Sequence, residues 1–213
     1  MENKITAFMS NLSGVYLITD TTIQKQYSHQ ELAEIAVETG ISMIQYRDKN
    51  ASARESLETI KEISQITTGT DTTFIVNDRA DLALAGDADG VHLGQDDLPI
   101  PAARTLLEDE KIIGGTSSNL EEALQVEEAG ADYVALGHIF ETTTKQKSYA
   151  PRGLGTLREV AEAVSIPLVA IGGITLNNAP QVIEAGADVI ALSSAICAAE
   201  DPRAAAQTFV DLF

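Results

Sequence analysis

Residues 74–97 read FIVNDRADLALAGDADGVHLGQDD. Two apolar runs inside this stretch, 74–76 and 91–93, have the length and composition of buried strands. Each gives way at its C-terminal end to polar residues: Asn77-Asp78-Arg79 after the first, Gly94-Gln95-Asp96-Asp97 after the second. Neighbouring parallel strands lie about 5 Å apart, so both acidic clusters open onto one rim. Carboxylates gathered in this way repel one another unless a cation lies between them. Mg²⁺ suits the position, because it takes oxygen ligands and is commonly held by one or two carboxylates together with substrate phosphates. The competing reading makes Asp78 and Asp97 the N-caps of the helices that follow.

Working outward, runs of strand length recur at 15–18, 43–46, 74–76, 91–93, 112–113, 133–136, 168–171 and 189–192. Amphipathic stretches at 30–38, 55–66, 120–128, 157–163 and 179–184 lie between them. Strands alternating with helical patterns imply βαβ units and a parallel sheet. Eight such units in 213 residues predict a compact (β/α)₈ TIM barrel in one domain, 1–213, with 1–13 as an N-terminal extension. An internal echo agrees: Glu128-Ala129-Gly130-Ala131-Asp132 precedes YVALG, Glu184-Ala185-Gly186-Ala187-Asp188 precedes VIALS, and Asp87-Ala88-Asp89-Gly90 precedes VHLG. These turns belong to the bottom of the barrel and read as stability features. A doubly wound open sheet is the alternative, although the chain has no G-x-G-x-x-G fingerprint.

Composition narrows the function classes. The net charge of −18 excludes the basic footprint that nucleic acid requires. It also repels anionic substrates at long range, so a phosphate site must concentrate the few cations locally. With 44% hydrophobic but 5% aromatic residues, the core is expected to consist of Ala, Val, Ile and Leu. The N-terminus lacks the apolar region of a signal peptide, and no apolar run approaches the roughly 20 residues that cross a bilayer. Cys197 is the single cysteine, which excludes an internal disulfide, and it reads as a small helical core residue. A cytoplasmic protein without membrane or nucleic-acid partners is expected, and a homo-oligomer is compatible with the sequence.

In a barrel, chemistry sits where strands end and βα loops begin. Strand 2 ends in Gln45-Tyr46-Arg47-Asp48-Lys49, and alternation puts Gln45, Arg47 and Lys49 on one face if the strand extends that far. Strand 3 supplies Asn77 and Asp78, and strand 4 supplies Gln95 and Asp97. Strand 5 ends in Gly114-Gly115-Thr116-Ser117-Ser118, which offers either helix caps or hydroxyls and amides for a phosphate. The longest loop follows strand 6, from Gly137-His138 through Thr142, Thr143, Thr144 and Lys145 to Gly155, and reads as a lid or binding loop. Strand 7 ends in Gly172-Gly173 and strand 8 in Ser193-Ser194, where barrels commonly hold a phosphate. Two stations result, one pairing cations with carboxylates on strands 2–4 and one built from small residues on strands 7 and 8. Nothing resembles a nucleophile–base pair, so metal-assisted departure of a diphosphate is the expected chemistry.

The ordered set QYRDK (45–49), NDRADLAL (77–84), ADGVHLGQDD (88–97), AGADYVALG (129–137), TTTK (142–145), VAIGGIT (169–175) and the SSAI after strand 8 resembles the thiamine phosphate synthase family over almost the whole chain. The resemblance implies that Asp78 and Asp97 hold Mg²⁺ against the diphosphate of 4-amino-2-methyl-5-hydroxymethylpyrimidine diphosphate. It implies that Gln45, Arg47, Lys49, Asn77, Thr116 and Lys145 bind that substrate, with Arg47, Lys49 and Lys145 stabilising the leaving group. Thr142, Thr144, Gly173, Ser193 and Ser194 would bind 4-methyl-5-(2-hydroxyethyl)thiazole phosphate. Diphosphate would leave first to give a pyrimidine-stabilised carbocation, which the thiazole nitrogen attacks. Three departures stand out. Gly137-His138 replaces the usual G-P and, within GHIFET, is similar to the thiazole tautomerases, where this histidine transfers protons. Thr116 stands in place of the commoner serine, and Ser193 in place of an apolar residue. Two alternatives follow: a metal-free isomerase using His138, or a non-catalytic barrel that binds thiamine phosphates.

Overall fold

The computed structural model describes residues 12–23, 26–142 and 149–213. Strands β1 (Gly14–Asp20), β2 (Met43–Arg47), β3 (Thr73–Asn77), β4 (Gly90–Leu93), β5 (Ile112–Ser117), β6 (Tyr133–Gly137), β7 (Leu168–Ile171) and β8 (Val189–Leu192) pair in chain order. All pairings are parallel, and β8 closes onto β1 to complete the barrel. Helices α1 (His29–Thr39), α2 (Ala53–Thr67), α3 (Ala80–Ala85), α4 (Ile100–Leu107), α5 (Leu120–Glu128), α6 (Gly153–Ala163) and α7 (Ala179–Glu184) alternate with them; α8 (Ser194–Cys197) and α9 (Pro202–Val210) follow β8. The open-sheet alternative is excluded. The expected extension, 1–13, lies outside the described residues except for its last two positions.

Two helix starts show how local chemistry sets the boundaries. Ser28 and Glu31 form a capping box at α1, and Ser52 and Glu55 form another at α2. Each satisfies N–H groups that the first helical turn cannot bond internally.

Strand alternation divides the core in two. In β1, Val15 and Leu17 face the helices while Tyr16 and Ile18 face the barrel axis. The outer layer is mainly aliphatic, as composition predicts, with Tyr46, Phe74 and Phe209 among it, each fully buried Val, Leu or Ile contributing about 1.5–3 kcal/mol. The interior is different. Among its Ile, Val, Met and Ala side chains stand two tyrosines, Tyr16 and Tyr133, both essentially inaccessible. Low aromatic content says how few such rings there are, not where they go.

β5 extends beyond the apolar pair at 112–113 through Gly114, Gly115 and Thr116 to Ser117. A Cβ at Gly114 would lie 2.0 Å from Cζ of Tyr133. Glycine is therefore required here by the close approach of a neighbouring ring, not by a turn.

At the bottom of the barrel, Asp89, Asp132 and Asp188 make the same two-bond clamp. Their carboxylates accept the N–H of Phe74 (2.9 Å), Ile113 (2.7 Å) and Leu168 (2.8 Å). Their own N–H groups donate back to the carbonyls of those same residues. The echo in the sequence is thus a repeated device that ties the start of each even-numbered strand from β4 to β8 to the strand before it.

Candidate active site

A cavity of about 470 Å³ opens at the C-terminal ends of the strands. Its walls include Gln45, Arg47, Asn77, Thr116, Thr142, Gly173, Ser193 and Ser194, all expected from the sequence. A larger, shallower depression of about 690 Å³ over Thr21, Thr22, Tyr27, Ser28 and Asn50 is lined by none of them. Thr144 and Lys145 lie outside the described residues.

The charged station forms on β2, β3 and the loop after β4. β2 ends at Arg47, so Lys49 reaches the site from the following loop and not by strand alternation. Its ammonium pairs with Asp78. Asp78 in turn hydrogen-bonds to Asp97. Neither aspartate caps a helix: the N-cap positions of α3 and α4 are Arg79 and Pro99, and neither makes a side-chain cap. Asp97 is instead held in the turn after β4, where it accepts the Gly94 N–H at 2.7 Å. Asp78 adopts φ 62°, a left-handed conformation uncommon outside glycine, and donates its N–H to the His92 carbonyl at 2.8 Å. Strain of this kind persists where surrounding structure holds it, often at functional sites.

The electrostatics of the pair are asymmetric. Burial works to raise the Asp78 carboxyl, but Lys49 and the bond from Asp97 outweigh it and hold Asp78 below the ordinary carboxylate range. Asp97 moves the opposite way: burial and then the neighbouring Asp78 push it up. Two carboxyls that hydrogen-bond share a proton, and a divalent cation can take the place of that proton. Among the described residues no group of three or more His, Cys, Asp or Glu could hold a metal ion. A pair of carboxylates nevertheless fits Mg²⁺, which completes its shell with water and substrate phosphate oxygens.

Asp20, at the end of β1, was not singled out in the sequence. It is buried, ion-pairs with Arg47 and accepts the N–H (2.8 Å) and hydroxyl (2.6 Å) of Thr22. It therefore fixes the guanidinium at the cavity wall. Tyr16 and His92 also line the cavity and were missed. Both sit in strand segments whose apolar pattern gives no sign of a polar role.

The second station is built from close backbone. Gly172 and Gly173 have φ of 102° and 67°, and a Cβ on Gly173 would lie 2.4 Å from the Glu141 carbonyl oxygen. Glycine is thus needed to pack the β7 loop against the β6 loop. Ser193 donates its hydroxyl to the Ile18 carbonyl at 2.7 Å, so that proton is already committed. Thr116 does not cap α5; Asn119 does, accepting the Glu122 N–H at 2.9 Å.

His138 is buried at the cavity wall against Tyr149, with ring centroids 5.3 Å apart, and its Nδ1 has no hydrogen-bond partner among the described residues. Cys197 lies in α8 with its thiol pushed up to about 12 by burial, which leaves it an inert core residue.

The family model for thiamine monophosphate synthase matches residues 15–196. A thiamine-phosphate synthase of Chloroflexus aurantiacus is 48% identical over 193 residues, covering 91% of this chain and 89% of its own. One from Clostridium novyi is 43% identical over 198 residues, covering 93% of this chain and 97% of its own. The solved thiamine phosphate pyrophosphorylase of Pyrococcus furiosus superposes with a TM-score of 0.86 at 42% identity, over 95% of this chain and 96% of that one. With the barrel, the rim cavity and these matches together, the chain belongs to the thiamine monophosphate synthase family, transferases that form thiamine phosphate.

Proposed function

We propose that the cavity joins 4-amino-2-methyl-5-hydroxymethylpyrimidine diphosphate to 4-methyl-5-(2-hydroxyethyl)thiazole phosphate, and that it does so with Mg²⁺ held by Asp78 and Asp97. The observation that carries this reading is the run Lys49–Asp78–Asp97, which begins next to Asn77 of the cavity wall and lies within electrostatic reach of Arg47. Bound there, Mg²⁺ supplies positive charge to the diphosphate oxygens. Arg47, steadied by Asp20, and Lys49 bind the same diphosphate, with Lys145 joining them. Their charge counts most as the C–O bond breaks and negative charge gathers on the leaving group. Gln45, Asn77 and Thr116 hold the pyrimidine over the opening. Thr142, Thr144, Gly173, Ser193 and Ser194 seat the thiazole phosphate so that its ring nitrogen faces the carbocation the departing diphosphate leaves behind. A C–N bond then forms and pyrophosphate is released. A net charge of −18 makes this local collection of cations necessary. No helix of the described residues is long and apolar enough to cross a membrane, and we place the reaction in the cytoplasm.

The test is pyrophosphate release with both substrates and Mg²⁺, each omitted in turn. Release that needs all three, matched by thiamine phosphate, supports the proposal. Isomerisation of a thiazole phosphate alone, without metal, would transfer the reading to His138. Binding of thiamine phosphate without turnover would make the barrel a sensor.

A further inference from the structure

A line of buried and half-buried polar groups crosses the barrel along the floor of the cavity. Gln45 Nε2 donates to the Tyr16 hydroxyl at 2.7 Å. Tyr16 and Tyr133 share a bond between hydroxyls at 3.1 Å, although 117 residues separate them. Tyr133 meets His92 Nδ1 at 3.0 Å, and His92 Nε2 meets Thr116 Oγ1 at 2.8 Å. The line thus runs β2, β1, β6, β4, β5, with Gln45 and Thr116 at its ends; every member but Tyr133 lines the cavity.

Counting protons gives the line a direction. Each hydroxyl has one proton to give, and a neutral imidazole has one N–H. With Gln45 Nε2 donating to Tyr16, Tyr16 donates to Tyr133, Tyr133 donates to His92 Nδ1, and His92 Nε2–H donates to Thr116. Gln45 is left with its Oε1 as an acceptor, and Thr116 with its hydroxyl proton as a donor. The opposite polarity flips the amide: Gln45 then presents NH₂ and Thr116 presents lone pairs. A mixed state would set donor against donor in a buried core, which is costly. Both tyrosines stay neutral phenols, since burial raises their pKa values. Gly114 makes room for the Tyr133 ring, and His92 stacks on it with planes 18° apart, so the line is held in place by packing.

We infer that Tyr16, Tyr133 and His92 are positioning residues that couple the orientation of the Gln45 amide to that of the Thr116 hydroxyl, and so select a 4-aminopyrimidine over its 4-oxo counterpart. The inference rests on the pyrimidine-binding role proposed for Gln45 and Thr116. An amino group donates where Gln45 Oε1 accepts, and the ring nitrogen across from it accepts where Thr116 donates. A 4-oxo ring needs Gln45 turned round while Thr116 still donates, and the coupled line forbids that combination.

The experiment compares kcat/KM for the 4-amino and 4-oxo pyrimidine diphosphates, with saturating thiazole phosphate and Mg²⁺, in the wild type, Tyr133→Phe and Tyr16→Phe. Either change cuts the line and frees Gln45 to rotate alone. The preference for the amino compound should fall by about tenfold or more, with KM for thiazole phosphate unchanged. Thr116→Val, at the cavity end, carries the same expectation and reads the result if the buried changes unfold the barrel. Preference retained in the variants, or absent from the wild type, overturns the inference while leaving the synthase reading intact. A wild type that turns over neither compound overturns both.

Discussion

Aspartates at the two ends of this barrel behave as different residues. At the bottom, Asp89, Asp132 and Asp188 each precede a strand and spend a carboxylate oxygen on the first N–H groups of the strand beside it. At the rim, Asp78 and Asp97 each follow a strand and face one another. The first arrangement is complete without a ligand. The second gathers two carboxyls that Lys49 and a shared proton offset in part, the arrangement in which we propose a cation binds. What separates the two groups is what each carboxylate faces: those at the bottom face backbone donors of the neighbouring strand, whereas Asp78 and Asp97 face one another, even though Asp97 also accepts the Gly94 N–H. Asp48 proves the point, being at the rim yet structural: it accepts the N–H groups of Asn50 (2.8 Å) and Ala51 (3.1 Å) and the Thr21 hydroxyl (3.2 Å).

The sharpest way to break this contrast is Asp78→Ala. It should lower kcat/KM by on the order of 10²–10³-fold, as expected for loss of charge stabilisation at a reacting diphosphate, while the thermal midpoint stays near wild type. Unchanged turnover with Mg²⁺ present would refute the mechanism. Asp132→Ala should do the reverse. It strands the buried Ile113 N–H and removes the partner of Arg104, costing about 1–3 kcal/mol in urea unfolding with kcat/KM of the folded protein unchanged. Equal losses of activity in the two variants would erase the distinction.

A subtler effect tests Asp48. His29 lies buried at 3.6 Å from that carboxylate, against Tyr46, and its Nδ1 bonds Thr19 at 2.6 Å. Burial pulls its pKa below the ordinary value, with Asp48 and Asp20 only partly opposing. The unfolded chain therefore takes up the proton first. The stabilisation is present above about pH 6.5 and is lost as pH falls through the lower folded value. Thermal melts across that window should show wild type losing more than His29→Gln; identical slopes would mean that His29 does not titrate this way. The smallest effect belongs to His138→Ala, where kcat should drop by less than about tenfold, under 1.4 kcal/mol of barrier. Abolished activity would place His138 among the reacting groups and reopen the isomerase reading.

Much of this was legible in one dimension. Every apolar run predicted as a strand is one, because eight βα units impose a local alternation that needs no knowledge of neighbours. Gln45, Arg47, Asn77 and Thr116 were found by reading the residues at strand ends, and the barrel brings them to one cavity. Errors arose where a distant part of the chain decides. The apolar pair at 112–113 marks only the start of β5, which continues to Ser117, and the need for glycine at 114 comes from Tyr133 on the next strand. Asp78 and Asp97 looked equally like helix caps until the geometry left both helices without one.

The number and order of the strands and the chemical character of each strand end are written locally in the chain, since both depend on contacts within a few residues. Barrel closure alone sets Asp20 against Arg47, Asp78 against Asp97, and Tyr16 against Tyr133 across the axis. Those pairings follow from where the closing barrel places each strand around its circumference, and no local period in the chain records that angle.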